Sequence, residues 1–421
     1  MLFVLIFVVV GAVVLGAAHY YLWRRLVRDA TASKRWRRIG LWVFAALPIL
    51  TLATFTGADV LPPAVATPLA WVGYVWLALL FYLLVVLAIL EIPALIAKLL
   101  LRRAHRRAIP AVTVGAPDRT DTPPATAASA GAPAPVPISP SPVDGSYLSR
   151  RLFLGRAVAV TAGVAAVGLV GTGVPTALGD PRVTRIQIPL ARLPRGADGL
   201  RIALVSDIHL GPLNGAGRTR RIVEIINGLD ADLVAVVGDL VDGSVEELGP
   251  AAAPLADLRS RHGTFFVTGN HEYFSGYEPW IQEVTRLGLR PLRNERVELP
   301  EGIDLAGVND VAGQRYGDGP DFDAALGGRD PDKAVVLLSH QPIQAYEAAR
   351  HGVDLQLSGH THGGQLVPFN LVVRASGQPV VSGLGEVDGM PVYVTNGAGF
   401  WGPPVRVGAP PDVTLVELRT P

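Results

Sequence analysis

Cysteine is absent from all 421 residues. That excludes disulfides, thiolate metal ligands and a thiol nucleophile, so any metal or catalytic chemistry here runs on oxygen and nitrogen. Charge is also scarce, at 17% of residues against 49% hydrophobic, and the mean hydropathy is positive. A wholly soluble chain is rarely so apolar, and membrane segments are expected. An excess of either sign is missing overall, the net charge being +1, but the two ends differ. Through residue 179 there are 16 Lys and Arg against 6 Asp and Glu, and from Asp180 onward 21 against 30. A basic, apolar front and a mildly acidic back read as a membrane anchor followed by a soluble domain. The back half lacks the clustered cations that nucleic-acid binding needs, so no nucleic-acid partner is expected.

Leu2 to Leu22 is almost wholly apolar, long enough for one crossing at about twenty residues. It lacks the basic residues that precede the apolar core of a cleavable signal, so we read it as a span. A basic loop comes after it, with Arg24, Arg25, Arg28, Lys34, Arg35, Arg37 and Arg38. A second span runs from about Ile39 to Val60 around Pro48, and a third from about Ala70 to Leu90, where Trp71, Tyr74 and Trp76 suit an interface. Arg102, Arg103, Arg106 and Arg107 come next. Positive charge marks the cytoplasmic side, which puts both basic clusters inside and the chain start outside. Residues 108–148 are rich in Pro, Ala, Thr and Ser and cannot bury enough apolar surface to offset ordering, so a disordered linker is expected. Ser149-Arg150-Arg151-Leu152-Phe153-Leu154 resembles the twin-arginine export signal of bacteria, with a mildly apolar run from Ala157 to Val174 behind it. An ordinary anchor flanked by arginines is the alternative. Either way this fourth segment crosses outward, and cleavage near Ala177-Leu178-Gly179 would free the soluble half. The expected organisation is therefore a membrane region over 1–107 with three transmembrane helices, a linker over 108–148, a signal or fourth helix over 149–179, and a catalytic domain over 180–421.

Nine histidines are present, and five of them fall in short polar blocks of that last domain. The most telling is Gly359-His360-Thr361-His362, because two imidazoles one residue apart serve neither core packing nor helix formation, and neutral imidazole is a common transition-metal ligand. The other blocks are Asp207-Ile208-His209, Gly238-Asp239-Leu240-Val241-Asp242, Gly269-Asn270-His271-Glu272 and His340. Each comes after a β-branched or aromatic run that reads as a strand: Ile202–Val205, Leu233–Val237, Phe265–Thr268, Val335–Leu338 and Leu355–Leu357. Ligands in α/β sheets bind at that C-terminal edge. Helical spacing appears over Arg220–Leu229 and Glu278–Leu287. Further strands over Ile303–Val308, Val392–Thr395 and Val413–Leu418 exceed what one doubly wound sheet needs. Two stacked mixed sheets flanked by helices, a four-layer α/β sandwich behind a helical transmembrane region, fit better.

Those five blocks, in this order, resemble the calcineurin-like metallophosphoesterase superfamily over roughly residues 195–421. The apolar anchor, the twin-arginine-like motif and the ending Asn396-Gly397-Ala398-Gly399-Phe400-Trp401-Gly402-Pro403-Pro404 are similar to its bacterial membrane-associated members. The resemblance implies two divalent metal ions: Asp207, His209 and His362 on the first, Asn270, His340 and His360 on the second, and Asp239 bridging them. An all-N,O set suits Mn, Fe or Zn. It further implies that His271 is the general acid or phosphate stabiliser, since imidazole titrates near neutral pH. Asp242 and Glu272 would orient imidazoles or backbone, with a carboxylate that only stabilises its turn as the alternative for each. Phe400, Trp401 and Arg406 are candidates for the mouth of the site, Arg406 as a grip on an anionic substrate, with a packed loop as the alternative.

The expected protein is thus a multi-pass cytoplasmic-membrane phosphoesterase whose catalytic domain lies on the extracytoplasmic side. Its expected partners are the export machinery, the bilayer and a phosphate ester, with lipid and cell envelope as candidate sources. The competing readings are a metal-binding receptor or scaffold without turnover, and an accessory domain of a membrane sensor or transporter. Few ionisable residues lie within the spans, which argues against a transport path.

Overall fold

A computed structural model describes residues 2–107 and 145–421. The expected linker lies outside the described residues up to position 144, and its last four residues already belong to a helix. Four long helices come first: α1 (Leu2–Leu22), α2 (Lys34–Val60), α3 (Pro63–Arg107) and α4 (Gly145–Leu178). Three stretches are long and apolar enough to cross a membrane, Lys34–Gly57, Ala64–Pro93 and Leu152–Leu178, and α1 covers the first expected span. Helix is the natural form for such runs, because hydrocarbon offers no partner for a backbone N–H or C=O. Pro48 sits inside α2 without ending it. The α3 helix passes the expected end at Leu90 and continues to Arg107, carried by a tail of Leu, Ala, Lys and Arg, all strong helix formers.

The chain forms two compact units, Met1–Pro48 with Leu83–Ala165, and Ile49–Tyr82 with Ala166–Pro421. In the first, Glu91 ties α3 to the stretch after α1: its carboxylate lies 2.6 Å from Arg25 Nε and accepts from Tyr21 Oη. The second unit carries all the polar blocks.

Its elements are, in order, β1 (Arg182–Pro189), β2 (Arg201–Val205), α5 (Ala216–Asn227), β3 (Leu233–Val237), α6 (Val245–Ala252), β4 (Thr264–Val267), α7 (Asn270–Ser275), α8 (Tyr277–Arg286), β5 (Leu289–Pro291), β6 (Glu295–Glu298), β7 (Asp304–Gly307), α9 (Phe322–Leu326), β8 (Val335–Leu338), α10 (Ala345–Arg350), β9 (Leu355–Ser358), α11 (Asn370–Ala375), β10 (Gly383–Val387), β11 (Met390–Val394) and β12 (Asp412–Arg419). Two six-stranded mixed sheets result, ordered β1-β12-β2-β3-β4-β5 and β10-β11-β9-β8-β7-β6. β2 to β5 run parallel, with β12 antiparallel to β2. In the second sheet β11, β9, β8 and β7 run parallel, and β10 and β6 close its edges antiparallel.

Period-two alternation in strands explains the layering. Ile202, Leu204, Leu233, Ala235 and Val237 meet Val336, Leu338, Leu355 and Leu357 between the sheets. The alternate residues Ala203, Val205, Val234 and Val236 face outward, onto Ile222 and Ile226 of α5 and Trp280 and Val284 of α8. Val335 and Leu337 meet α9 and α10 on the far side. Both faces of the central strands are buried, so they read as unbroken apolar runs. The expected four-layer sandwich is the one observed.

Parts of α2, α3 and α4 belong to this second unit and lie against its loops. Thr67 Oγ1 donates to Pro212 O at 3.5 Å. The rings of Phe81 and Phe369 meet edge to face at 6.2 Å. Arg406 N donates to Gly173 O at 3.0 Å, and a Cβ on Gly173 would come within 2.5 Å of Val405 Cγ1, so only glycine allows this approach. Arg218 Nη1 caps the end of α4 by donating to Leu178 O at 3.0 Å and to Gly179 O.

Candidate metal centre

Six strand ends aim at one place. Past β2 the chain turns through Asp207 and His209, past β3 through Gly238 and Asp239, past β4 through Gly269 and Asn270, past β8 into His340, and past β9 through His360 and His362. β7 adds Asp310. Asp207, His209, Asp239, His360 and His362 all have positive φ, between 50° and 70°. Each such non-glycine residue costs about 1–3 kcal/mol and persists only where its surroundings demand it. Two glycines permit the crowding: a Cβ on Gly359 would collide with Ser206 Oγ and Asp207 Oδ2, and one on Gly269 with Asp239 Oδ1.

Among the described residues three groups of ligand-type atoms form there, Asp207 with His209 and His362, Asp239 with His340 and His360, and His209 with Asp242 and His271. His362 Nε2 lies 3.2 Å from Asp207 Oδ1 and 3.0 Å from His209 Nε2. In the second, His340 Nε2 lies 3.2 Å from Asp239 Oδ2 and 3.2 Å from His360 Nδ1. Asp239 Oδ2 is also 3.7 Å from His209 Nε2, so this one carboxylate faces both the first and the second group. Asn270 precedes His271, whose backbone N–H donates to Asp239 Oδ1 at 2.9 Å, and its own Oδ1 is buried with no hydrogen-bond partner among the described residues. An orphaned carbonyl oxygen among clustered imidazoles and carboxylates is what a cation-binding set shows when only protein atoms are counted. The donor set fits a pair of divalent ions.

The outer ring nitrogens are committed. His340 Nδ1 is 2.8 Å from Val237 O, and Asp242 Oδ1 accepts from His209 Nδ1 at 2.8 Å and from His271 Nδ1 at 2.7 Å. Both rings are thereby oriented with Nε2 inward. Burial, then the facing His340, hold the His360 imidazole down to about 3, and burial with Arg406 lowers His362 strongly. Both rings are thus neutral, the form in which imidazole can hold a metal. Burial opposes a charge on His271, but the Asp242 hydrogen bond and the Asp239 charge outweigh it and raise the ring to about 9. Asp239 is also opposed by burial, and His340 overrides this to keep it ionised.

The sequence matches the calcineurin-like phosphoesterase family over residues 200–364, and it is 40% identical over 258 residues to a metallophosphoesterase of Helicobacter pylori, covering 61% of this chain and 68% of that one. The chain belongs to the calcineurin-like metallophosphoesterase family. It is equally 40% identical, over 279 residues, to a Bos taurus transmembrane protein with metallophosphoesterase domain, covering 62% of each. The chain thus spans somewhat under two thirds of that relative's length. Among solved structures it is similar to a dimetal phosphatase from Danio rerio, with a TM-score of 0.33 and 14% identity over 48% of this chain and 88% of that one. Its relatives include transmembrane proteins that carry a metallophosphoesterase domain.

All seven expected ligands of this metallophosphoesterase, with His271, converge here. Glu272 is fully buried and accepts from the backbone N–H groups of Gly269 at 2.6 Å, Leu240 at 2.7 Å and Asp239 at 3.0 Å. It braces the Asp239 turn through these backbone N–H groups. Burial and the Asp239 charge push it up to about 7 against the pull of those donors. Arg406 departs from the grip on substrate expected at the mouth. It is 1% exposed, and its guanidinium is spent on the carbonyls of Gly399 and His362 and on His362 Nδ1 at 3.0 Å. It holds the loop beneath the site, the alternative raised from the sequence. Trp401 does reach the mouth, 5.9 Å from the His271 ring.

Two contributions escaped sequence reading. Asp310 is buried at the end of β7, accepts from Gln341 Nε2 at 3.1 Å, and leaves Oδ2 unpartnered; burial raises it to about 6. Its position after a strand was the available signal. The cavity beside His209 and His271, about 540 Å³, is walled in part by Phe55 and Tyr74 from the apolar helices, which no sequence signal anticipated.

Proposed function

We propose that the protein is a membrane-anchored phosphoesterase acting outside the cytoplasmic membrane on phosphate mono- or diesters, with two divalent ions drawn from Mn, Fe or Zn. Asp207, His209 and His362 would hold one ion, and Asn270, His340 and His360 the other, with Asp239 shared. The observation that carries this is the sharing itself, one carboxylate facing two buried imidazole clusters, with the unpartnered Asn270 oxygen beside them. When bound, such a pair supplies Lewis acidity toward phosphoryl oxygens and makes water a nucleophile near neutral pH. The chain's own part is to orient and to move a proton. Asp242 fixes the His271 ring and keeps it protonated, so Nε2 can donate to the departing ester oxygen as the P–O bond breaks and water's oxygen bonds to phosphorus.

The two basic clusters support an extracytoplasmic catalytic domain, and Arg150-Arg151 ahead of an apolar helix supports export by a twin-arginine route. Full-length protein purified in detergent, stripped and reloaded with Mn, Fe or Zn, should hydrolyse bis-p-nitrophenyl phosphate or p-nitrophenyl phosphate. Metal uptake at two ions per chain with no turnover under any of the three would favour the receptor or scaffold instead. Protease accessibility of the C-terminal domain in spheroplasts, with and without a functional twin-arginine translocase, tests the placement.

A further inference from the structure

We infer that the substrate is a phosphate ester carried on a membrane lipid, its phosphate entering the metal site while its hydrocarbon chain stays in the bilayer. The inference rests on the phosphoesterase reading and narrows it.

The first observation is the wall of the cavity. Phe55 of α2 and Tyr74 of α3, whose rings meet edge to face at 5.7 Å, line the same space as His209 and His271. A Cβ on Gly402 would lie 3.7 Å from Tyr74, so the loop carrying Trp401 abuts the helix directly. The mouth is therefore part catalytic loop and part transmembrane helix. Phe274 and Trp401 flank His271 at 5.5 and 5.9 Å while being 63% and 51% exposed, an apolar rim around a polar floor.

The second observation is depth. The apolar stretch of α3, Ala64–Pro93, has 30 residues, about 45 Å at about 1.5 Å per residue, against a hydrocarbon core of about 30 Å. Counting about twenty residues back from Pro93 puts the near boundary close to Tyr74, within the Trp71, Tyr74 and Trp76 belt. Sliding the far boundary to Lys98 moves it only to about Ala78. Phe81 lies inside the hydrocarbon in either case, and Phe369 packs on Phe81. The catalytic domain therefore reaches into the leaflet at that point.

The third observation is what the domain presents there. Phe369 and the α11 side chains Leu371 and Val372 are 44%, 63% and 55% exposed, an apolar cluster on a water-facing surface unless lipid covers it. Its stem is joined to the mouth, for Gln365 Nε2 donates to Trp401 O at 3.0 Å and Val367 N to Val407 O at 3.0 Å. The apolar α11 is thus tied to the loop that carries Trp401, and with it to the apolar rim and the helix-walled cavity. A water-soluble ester needs none of it.

The test uses full-length protein in mixed micelles, loaded with the metal that supports turnover, on matched pairs: dioleoyl phosphatidic acid against glycerol 3-phosphate, and dioleoyl phosphatidylglycerol against glycerophosphoglycerol. Each pair shares its phosphate chemistry and differs only in the lipid. The expected result is kcat/KM at least tenfold higher for one lipid than for its soluble partner. The double substitution Leu371→Glu with Val372→Glu should cut lipid turnover at least tenfold and leave p-nitrophenyl phosphate turnover unchanged, which also reports that the variant is folded. Equal or faster turnover of the soluble partners, or lipid turnover indifferent to the two glutamates, overturns the inference alone. No turnover of any ester overturns the phosphoesterase reading and this one together.

Discussion

Asp242 sits between two imidazoles, accepting from Nδ1 of both His209 and His271, and so favours a proton on the ring proposed as the acid. Burial opposes a charge on His271, but the Asp242 hydrogen bond to Nδ1 and the Asp239 charge 3.9 Å from Nε2 override it and push the metal-free ring up to about 9. A raised histidine keeps its proton below that value and loses it as pH climbs through it. Activity that depends on a protonated His271 therefore falls on the alkaline side, and Asp242→Asn moves that limb to lower pH. The expected outcome for the metal-loaded enzyme is a downward shift of at least about one pH unit in the kcat/KM profile. His271→Ala should lower kcat by about 10²- to 10⁴-fold with metal content still two per chain by elemental analysis. Loss of the metals as well would mean that the ring is a ligand. The candidate ligands stood out in the sequence because five polar blocks come in one order, each after a strand-like run, where a single Asp-x-His would say little. Arg406 was harder, because an arginine near glycines and prolines reads equally as a substrate grip or a loop brace, and only its buried hydrogen bonds decide.

The turns after β2, β3, β4 and β9 set the site's geometry more than the strands do. Gly359 illustrates the constraint, since any side chain there meets Ser206 and Asp207 at once. Gly359→Ala should destabilise the domain by about 1–3 kcal/mol and weaken metal retention, read as a lower Tm and as fewer than two ions per chain after gel filtration. The central strands were readable because both faces are buried and their runs are continuous. The edge strands were not. β1 alternates exposed and half-buried residues, while β6 and β10, each paired in a hairpin with the strand that follows, carry Glu, Arg or Gly among few apolar residues and so show no continuous apolar run. α6 escaped because Pro250 falls inside it, although Ser244 and Glu247 form a reciprocal capping box at its start. Helix boundaries in the apolar region shifted for a related reason: hydropathy marks the lipid-facing stretch, whereas the helix continues wherever propensity permits, as in α3.

The folded molecule holds more ionisable groups in its interior than its hydrogen bonds alone would favour. Burial raises Asp207 and Asp310 above the usual carboxylate range. With a raised folded value, an acid contributes stability at low pH that is lost as pH rises from the unfolded toward the folded value, so at neutral pH both oppose the metal-free fold. Cations reverse that balance. Saturating metal, at about 100 times its Kd, adds about 2.7 kcal/mol by mass action. For a domain of this size that is about 5–10 °C in Tm. Chelation should lower Tm by that amount and readdition restore it, and an unchanged Tm would count against ions at this site. At this scale the sequence was informative about order and silent about docking: polar blocks and apolar spans could be read separately, but not that Phe55 and Tyr74 line the catalytic cavity.

The capped end of α4 bears on how the protein matures. A signal peptidase draws its target bond out as an extended strand, yet here Arg218 grips the last carbonyl of a helix, that of Leu178, and the next one, of Gly179, while Gly173 of the same helix is wedged against Val405. Severing the chain at this point would unclip the domain from its own footing, so the mature polypeptide should keep its tether. Intact mass spectrometry of membranes would then show the uncut chain, and a high-salt wash would release no catalytic fragment.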